Sequence, residues 1–279
     1  MGAPPTPMTE RLRVDPSENL LIAGLDPAAT FVDEDDAADE LDDLRDRLFD
    51  LHELMMANQE YAMLVVLQGL DCSGKNGTIK HVISAMNPAA VQVASFKEPT
   101  EEEKKEHFLD RIRRAVPEPG NLTVFDRSHY EDTFVPAVHD GMDGDEFDQR
   151  LEDICTFEQE LADDNVIVVK CFLHISYDEQ RYRFQRRLRR RDKRWKFSET
   201  DIETRERWPE WEVVYGKAIG RTSTDAAPWY AIPSDHKWHR NWVIANLLVE
   251  QFERLGEEYP EPFGDAELER LKARLEPPH

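Results

Sequence analysis

One short segment constrains this chain more than any other: an apolar run, a glycine-rich turn that contains a lysine, and the start of a helical pattern. Residues 65–80 read V-V-L-Q-G-L-D-C-S-G-K-N-G-T-I-K. In such an order the strand delivers the chain and the glycines let the backbone N–H groups converge on an anion. The N-terminus of the next helix then points its positive end at the same place. The segment predicts a phosphate-binding site; an ordinary glycine-rich turn is the structural alternative.

The glycines and the lysine of this turn have the spacing of the phosphate-binding loop G-x-x-x-x-G-K, as Gly69, Gly74 and Lys75. A lysine at this place reaches between phosphates and neutralises charge as a phosphoryl group moves. Asn76 stands where a Ser or Thr ordinarily holds magnesium. A metal-dependent site therefore needs a ligand from elsewhere, and Asp71, inside the loop, is the first candidate.

A second segment, residues 122–132, reads L-T-V-F-D-R-S-H-Y-E-D. Its apolar run predicts a buried strand, and open α/β sheets place functional groups at the carboxyl ends of their strands. Asp126 comes at that end, and we expect it to hold Mg²⁺ or to orient an attacking phosphate. Arg127 offers a planar fork for phosphate oxygens. A helix N-cap with an ordinary ion pair is the structural alternative for these two residues.

A third segment, residues 181–196, is crowded with arginine and lysine. At helical spacing Arg183, Arg187, Arg190 and Arg194 lie along one stripe. Pairing with the protein's own acids would neutralise such a stripe. The functional alternative is a mobile lid that brings arginines onto phosphates and excludes water. We predict the lid, over residues 181–212.

Apolar runs alternate with amphipathic patterns along most of the chain. Strands are predicted at 61–68, 91–95, 121–125, 166–175 and 229–233, and helices at 41–54, 78–86, 101–116, 147–163 and 242–255. Such alternation indicates a parallel sheet with helices on both faces, hence the α/β fold class. Residues 1–40 are predicted to be an irregular N-terminal extension, 41–258 the catalytic domain, and 259–279 a polar, partly helical C-terminal tail.

The charge of the chain argues against some classes of partner. Thirty-five Lys and Arg against 58 Asp and Glu give a formal net charge of −23. Such a surface repels polyanions at long range, so nucleic-acid binding as the main activity is disfavoured. No apolar stretch approaches the roughly 18 residues that span a bilayer, which predicts no membrane association. The N-terminus lacks the pattern of a secretory signal, and three cysteines show no paired or metal-binding spacing; both features predict a cytoplasmic protein.

Taken together, the three segments resemble the polyphosphate kinase 2 family, over residues 41–255. The family's loop G-x-D-x-x-G-K-x-G-T is matched by Gly69, Asp71, Gly74, Lys75, Gly77 and Thr78, its motif D/N-R-S-x-Y by Asp126, Arg127, Ser128 and Tyr130, and its lid signature W-K-x-S-x-x-D by Trp195, Lys196, Ser198 and Asp201. Similar runs follow at 221–224, 227–230, 235–238 and 240–241. So many matches in the same order make the resemblance specific.

The resemblance implies a three-layer P-loop kinase-like fold with a helical, arginine-rich lid. It implies Mg²⁺-dependent, reversible phosphoryl transfer between inorganic polyphosphate and nucleotides, with AMP, ADP and also GDP as acceptors, ATP as a product, and Mn²⁺ as an alternative ion. It further implies a homo-oligomer, either a dimer or a tetramer.

The resemblance also implies roles for individual residues. The catalytic residues are Asp71, Lys75, Asp126 and Arg127, and the metal ligands among them are Asp71 and Asp126. The residues that bind phosphate or nucleotide are Gly69, Gly74, Asn76, Gly77, Thr78, Lys80, Glu131, Arg187, Arg194 and Lys237. Among these, Lys80 and Lys237 are weaker candidates along the path of the polyphosphate.

The choice of acceptor is less sharply indicated than the reaction. The run His129-Tyr130-Glu131-Asp132 resembles the branch of the family that phosphorylates AMP as well as ADP, but that branch commonly has Asn where Asp126 stands. Two other functions stay open from the sequence. One is an ATP-dependent nucleotide or small-molecule kinase with the same fold, loop and lid; the other is a non-catalytic protein that binds polyanions through its arginine segment.

Overall fold

Strand β1 (Ala62–Gln68) is apolar along nearly its whole length because both of its faces are buried. The side chains of Met63, Val65 and Leu67 pack into one layer of the core, and Leu64 and Val66 pack into the other. Continuous apolar strands of this kind are typical of parallel sheets that carry helices on both faces.

Four more strands complete a parallel sheet in the computed structural model, which describes residues 6–275. They are β2 (Val91–Ala94), β3 (Leu122–Asp126), β4 (Val166–His174) and β5 (Trp229–Pro233). Their order across the sheet is β2-β3-β1-β4-β5. Asp126, the last residue of β3, therefore lies beside Leu67 of β1, next to the glycine-rich turn.

Helices cover both faces of the sheet, as the sequence predicts. They are α1 (Met8–Arg11), α2 (Glu34–Asn58), α3 (Lys75–His81), α4 (Asp110–Arg113), α5 (Glu131–Val135), α6 (Gly144–Asp163), α7 (Tyr177–Arg189), α8 (Glu199–Glu206), α9 (Trp208–Thr222), α10 (Lys237–Glu253) and α11 (Asp265–Leu275). One face is covered by α2, α3 and α10, and the other by α5, α6 and α9. The α/β fold class is confirmed. Over the residues described, no helix combines the length and the apolar character needed to cross a membrane.

The predicted helix at 101–116 is wrong. That segment forms a 3₁₀ turn and then the four-residue helix α4. Thr100 and Glu103 each bond the other's backbone N–H through their side chains, at 3.2 and 2.8 Å. The Asp110 carboxylate likewise accepts the N–H of His107 at 3.1 Å. These side chains bond to nearby backbone groups and so start two separate turns in place of one long helix.

Several helices begin earlier in the chain than the sequence predicts. Helix α2 begins at Glu34 rather than Leu41, because three acidic residues in its first turn suit the positive end of the helix. The first crossover helix begins at Lys75 rather than Thr78, and α10 begins at Lys237 rather than Trp242.

Part of the segment predicted to be irregular packs against the body of the protein. Met8, Leu12 and Ile22 are buried, and the N–H of Val14 donates to the carbonyl oxygen of Trp229 at 2.8 Å. The division of the chain at residues 40 and 258 stays a prediction.

Candidate functional site

The turn between β1 and α3 depends on two glycines. Gly69 has a φ of 148° and Gly74 a φ of 125°, values that side-chain-bearing residues rarely adopt. A Cβ at Gly69 would also lie 2.7 Å from the carbonyl oxygen of Leu173. Lys75 opens α3, and its Nζ donates to the carbonyl oxygen of Gly69 across the turn. The Lys75 side chain is thus folded over the loop. We predict that the lysine and the backbone N–H groups of the loop bind phosphate together.

Two side-chain contacts join this loop to the end of β3. Asn76 Nδ2 donates to Asp126 Oδ2 at 2.9 Å, and Arg127 Nη2 lies 3.5 Å from Asp71 Oδ1. Arg127 has a φ of 66°, a left-handed conformation that costs free energy for a residue with a long side chain. The structure therefore brings together the four residues predicted to form the centre of the site.

Glu131 is held by a residue that the sequence reading missed, Gln68. The buried Gln68 Nε2 donates to Glu131 Oε1 at 2.7 Å, and Gln68 Oε1 accepts the hydroxyl of Ser128 at 3.3 Å. Partial burial would lower the pKa of Arg127, but nearby carboxylates, that of Glu131 first, raise it above its ordinary value. A buried glutamine at the end of an apolar strand, directly before the loop, is the signal that could have revealed Gln68.

A cavity of about 480 Å³ lies between the loop and the lid segment. The loop side is formed by Asp71, Gly74, Lys75, Asn76 and Gly77. The opposite wall consists of basic side chains: Arg183, Arg186, Arg187, Arg190, Lys193 and Lys196, with Lys237 and Arg240 from α10. Among the described residues that line the cavity, Asp71 is the single acid. In a chain of net charge −23, nine of the 35 Lys and Arg thus line one opening.

The arginine segment is helical over only part of its length, so the predicted stripe of four arginines is wrong. Helix α7 ends at Arg189, and Arg194 follows in a separate turn. Arg194 Nε donates to the carbonyl oxygen of Leu188 at 2.7 Å, because the last carbonyls of a helix need donors from outside it. Arg194 is consequently outside the cavity lining, whereas Arg187 and Arg190 are part of it.

The lid segment rests directly on the loop. Lys196 Nζ lies 3.3 Å from Asn76 Oδ1, and Arg183 Nη1 donates to the carbonyl oxygen of Cys72 at 2.9 Å. Burial raises the pKa of the Cys72 thiol to about 11, so this side chain fills the turn as a neutral thiol. The loop and the lid segment therefore form two walls of a single site.

Asp201, in the first turn of α8, lies against both walls. Its carboxylate is 3.6 Å from Arg187 Nη1, and it completes a reciprocal cap with Ser198 at the start of the helix. Burial and then the neighbouring Asp71 carboxylate raise the pKa of Asp201. The motif that the sequence reading used as a lid signature is thus also a contact between α8 and the loop.

Six further predicted residues lie outside the cavity lining. Asp126 and Arg127 reach it only through their contacts with Asn76 and Asp71, and Glu131 contacts Gln68. Lys80 is exposed on the last turn of α3, Thr78 is fully buried under the loop, and Gly69 forms the closed end of the turn. Lys237, the other weaker candidate, does line the cavity.

Asp71 and Asp126 are the two carboxylates predicted to hold a magnesium ion. In the part of the chain that the structure describes, no group of three or more His, Cys, Asp or Glu forms a metal cluster. Mg²⁺ keeps several waters and is commonly bound through one or two carboxylates together with substrate phosphates. Two carboxylates at neighbouring strand ends, beside a phosphate loop, fit a magnesium ion held jointly with phosphate oxygens.

Comparison with known proteins agrees with this geometry. The family model "Polyphosphate kinase 2 (PPK2)" matches residues 31–259. The AMP/ADP-polyphosphate phosphotransferase of Meiothermus ruber is 42% identical over 256 residues, which cover 91% of this chain and 96% of that protein. The ADP-polyphosphate phosphotransferase of Rhodopseudomonas palustris is 37% identical, covering 82% of this chain and 84% of the relative. The crystal structure of polyphosphate kinase 2 from Arthrobacter aurescens TC1 superposes with a TM-score of 0.91 at 34% identity, covering 98% of this chain and 100% of that one.

Proposed function

We propose, because the chain belongs to the polyphosphate kinase 2 family, that it transfers a terminal phosphoryl group between inorganic polyphosphate and nucleotides. The acceptors are AMP and ADP, with GDP as a further acceptor, and the reaction is reversible. The observation that carries this proposal is a phosphate loop that faces a wall of arginine and lysine side chains across one cavity.

The charge of the two walls explains why a chain of phosphates would fit there. Polyphosphate carries negative charge along its whole length, so it needs cations spread over a distance rather than one point contact. The cavity offers such a spread, from Lys75 at the loop to Lys196 and Lys237 at its edges. The net negative surface elsewhere directs a polyanion to this opening, because it is repelled from the remaining surface.

Each residue at the centre of the site has a proposed role. Asp71 and Asp126 would hold Mg²⁺, with Mn²⁺ as an alternative, together with phosphate oxygens. When bound, the ion neutralises charge on the phosphates and orients them. Lys75 leaves the Gly69 carbonyl oxygen for a phosphate oxygen, and Arg127 holds a second phosphate through its fork of donors.

The chemistry needs little beyond positioning and charge. The attacking atom is a phosphate oxygen of AMP or ADP that is already anionic, so no general base is required. As the new P–O bond forms, the bond to the bridging oxygen of polyphosphate breaks, and the shortened polyphosphate leaves as an anion. Lys75, Arg127 and Arg187 offset the negative charge along this line.

The lid has the second task of excluding water. If water reaches the terminal phosphoryl group, it can attack in place of the nucleotide, which yields inorganic phosphate and shortened polyphosphate and leaves the nucleotide unchanged. Contacts of Lys196 and Arg183 with the loop close that route from one side. Because phosphoanhydrides occur on both sides of the reaction, the concentrations of polyphosphate and nucleotide decide its direction.

Incubation of the protein with polyphosphate, Mg²⁺ and either AMP or ADP, without ATP, tests the proposal. We expect new ADP and ATP, detected by chromatography. Lys75→Ala serves as the loss-of-function variant and Lys272→Ala as its matched control, because Lys272 is paired with Glu269 on α11 and is outside the cavity lining.

Two other outcomes would replace the proposal. Phosphorylation of a small acceptor by ATP, but not by polyphosphate, would identify an ATP-dependent kinase. Binding of polyphosphate without turnover, retained in Lys75→Ala, would identify a polyanion-binding protein.

The assembly and location of the protein are part of the same proposal. We propose a homo-oligomer, dimer or tetramer, that acts in the cytoplasm, where nucleotides and polyphosphate occur together. Light scattering after gel filtration tests the assembly; a mass of 32.5 kDa would indicate a monomer and contradict it.

A further inference from the structure

The guanidinium group of Arg240 occupies a space that two loop glycines leave open. Arg240 lies in the first turn of α10 and is 2% exposed. A Cβ at Gly77 would lie 2.7 Å from Arg240 Nη2, and a Cβ at Gly74 would overlap Nη1. Gly74 also needs its unusual φ, but Gly77 lies within helix α3. A side chain at position 77 would therefore clash with the Arg240 guanidinium, which explains why this position holds a glycine.

This buried guanidinium has neutral partners only, among the residues that the structure describes. Nη2 donates to Asn241 Oδ1 at 2.8 Å, Nη1 donates to the carbonyl oxygen of Ser73 at 3.4 Å, and Nε has no partner. Burial, and then the neighbouring Arg183, lower the pKa of Arg240 to about 9. A buried charge without a counter-ion costs free energy, so its presence calls for an explanation.

The position of Arg240 along α10 adds to this cost. The first turn of this 17-residue helix contains Lys237 and Arg240 and no acidic residue. Helix N-termini favour anions and disfavour cations, because their backbone N–H groups carry partial positive charge. Two cations at this end of α10 are thus suited to a state in which an anion is bound beside them.

The cavity between the loop and the lid segment supplies the place for that anion. Arg240 lines it together with Gly77 and Lys237. We propose that Arg240 is a phosphate-binding residue, and that the counter-ion missing from its surroundings is a phosphate group of the bound polyphosphate or nucleotide. This proposal rests on the proposed function, since it names a further binding residue of the same site.

Arg183 shows what a structural arginine at the same depth looks like. It is 6% exposed and its Nε donates to the carboxylate of Glu179 at 2.7 Å. Its other nitrogens donate to the carbonyl oxygens of Cys72 at 2.9 Å and Ser234 at 2.7 Å. Arg183 therefore joins the loop to the segment before α10 and has a carboxylate partner, whereas Arg240 has none.

The test compares Arg240→Met, Arg240→Lys and Arg183→Met in the full-length protein. The melting temperature is measured alone, with inorganic tripolyphosphate, and with ATP. We expect Arg240→Met to melt no lower than the wild type without ligand and to lose most of the ligand-induced rise. Its apparent KM should increase about tenfold or more for whichever substrate its phosphate belongs to, and Arg240→Lys should recover part of that loss. Arg183→Met should melt lower even without ligand.

The two probes distinguish the source of the phosphate. If Arg240→Met loses the rise in melting temperature with tripolyphosphate but keeps it with ATP, Arg240 binds the polyphosphate. If it loses the rise with ATP but keeps it with tripolyphosphate, Arg240 binds the nucleotide. An Arg240→Met variant that melts as low as Arg183→Met, but keeps the wild-type ligand-induced rise, would make Arg240 structural and overturn the proposal. Wild type stabilised by the probes without phosphoryl transfer would overturn the proposed function, while the Arg240→Met comparison would still decide this inference. Wild type stabilised by neither probe would overturn both.

Gly77→Ala provides an independent variant. Its methyl group should displace the guanidinium and weaken binding of the same probe as Arg240→Met. In the Arg240→Met background the alanine should cause no further loss of binding, because the group it displaces is gone. If the fold-losses of affinity of the two single variants multiplied in the double variant, Gly77 would act independently of Arg240. That result would count against the proposal.

Discussion

Two concentrations of charge lie in this protein, and they differ in how they are neutralised. One is buried between α6, β4 and α9 and contains Glu158 and Lys170, both 0% exposed. Their carboxylate and ammonium groups are 2.5 Å apart, and the hydroxyl of Tyr130 and the ring of His129 complete the contacts of Glu158. The other is the cavity at the predicted phosphate loop, where nine basic side chains and one carboxylate are found among the described residues of the lining.

The difference separates structural charges from binding charges. Burial alone would raise the pKa of Glu158, but Lys170 and His129 bring it below its ordinary value, so the pair stays ionised within the fold. Lys170 also donates to the hydroxyl of Tyr130 at 3.0 Å and to the carbonyl oxygen of Thr222 at 2.7 Å, so its three N–H groups all have partners within the fold. Beside the loop, Arg240 has only neutral hydrogen-bond partners among the described residues, which is why we propose a phosphate group as its counter-ion.

Removal of one ion from the buried pair should have the largest effect. Lys170→Met leaves Glu158 charged and unpaired in the core, which should lower the free energy of unfolding by about 3–5 kcal/mol. Urea denaturation measures this loss. Replacing both residues, as Lys170→Met with Glu158→Leu, should recover part of it. A stable Lys170→Met variant with impaired transfer would contradict the structural assignment of this cluster.

Removal of a loop cation should impair phosphoryl transfer and leave the stability of the fold nearly unchanged. Lys75→Ala should lower the rate of transfer at least about a hundredfold, on the order of 3 kcal/mol of barrier, because phosphate charge is then not offset. Its unfolding midpoint should change little, since Lys75 donates only to a backbone carbonyl. Asp126→Ala should lose a similar factor. Steady-state kinetics and urea denaturation on the same samples decide the matter, and full activity in both variants would remove these residues from the site.

Within the arginine segment, position relative to the cavity should decide the effect. Arg187→Ala should raise the apparent KM for polyphosphate about tenfold, or about 1.4 kcal/mol, because Arg187 lines the cavity. Arg194→Ala is the matched control, since its guanidinium donates to the carbonyl oxygen of Leu188 outside the lining. Equal KM changes in the two variants would show that the segment binds polyphosphate by overall charge alone.

A pH series should show the smallest effect, and it should appear in the stability of the fold. Burial lowers the pKa of His52 and of His239 from 6.5 to about 4, and His239 Nε2 accepts the N–H of Phe31 in its neutral form. The unfolded chain therefore binds more protons, so stability is complete above pH 6.5 and falls as the pH drops toward 4. Each histidine should account for about 1 kcal/mol between pH 7 and pH 5.5.

The control for the pH series is removal of the buried histidine itself. His52→Leu should flatten the loss of stability between pH 7 and 5.5, because the group that takes up a proton on unfolding is then absent. If His52→Leu left the pH dependence unchanged, His52 would bind a proton equally well in the folded and the unfolded protein, and the lowered pKa would be contradicted.

The central features of the site were predictable because they are local. A strand, a glycine turn and a helix are consecutive in the chain, so Gly69, Gly74 and Lys75 identify the loop without knowledge of the rest. Asp126 was predictable for a similar reason, since it follows an apolar run. The helix predicted at 101–116 failed because capping by Thr100 and Asp110 competes with helix continuation, and periodicity does not register that competition.

The sequence alone determined the order of strands and helices, the loop, and the surplus of acids over bases, since each is a property of neighbouring residues or of composition. Only the tertiary structure decided which charges have partners. Lys170 meets Glu158 from another element, while Arg240 lies at the loop with only neutral partners among the described residues, although both are buried basic residues. Electrostatic compensation depends on distances of a few ångströms between remote parts of the chain, and packing sets those distances.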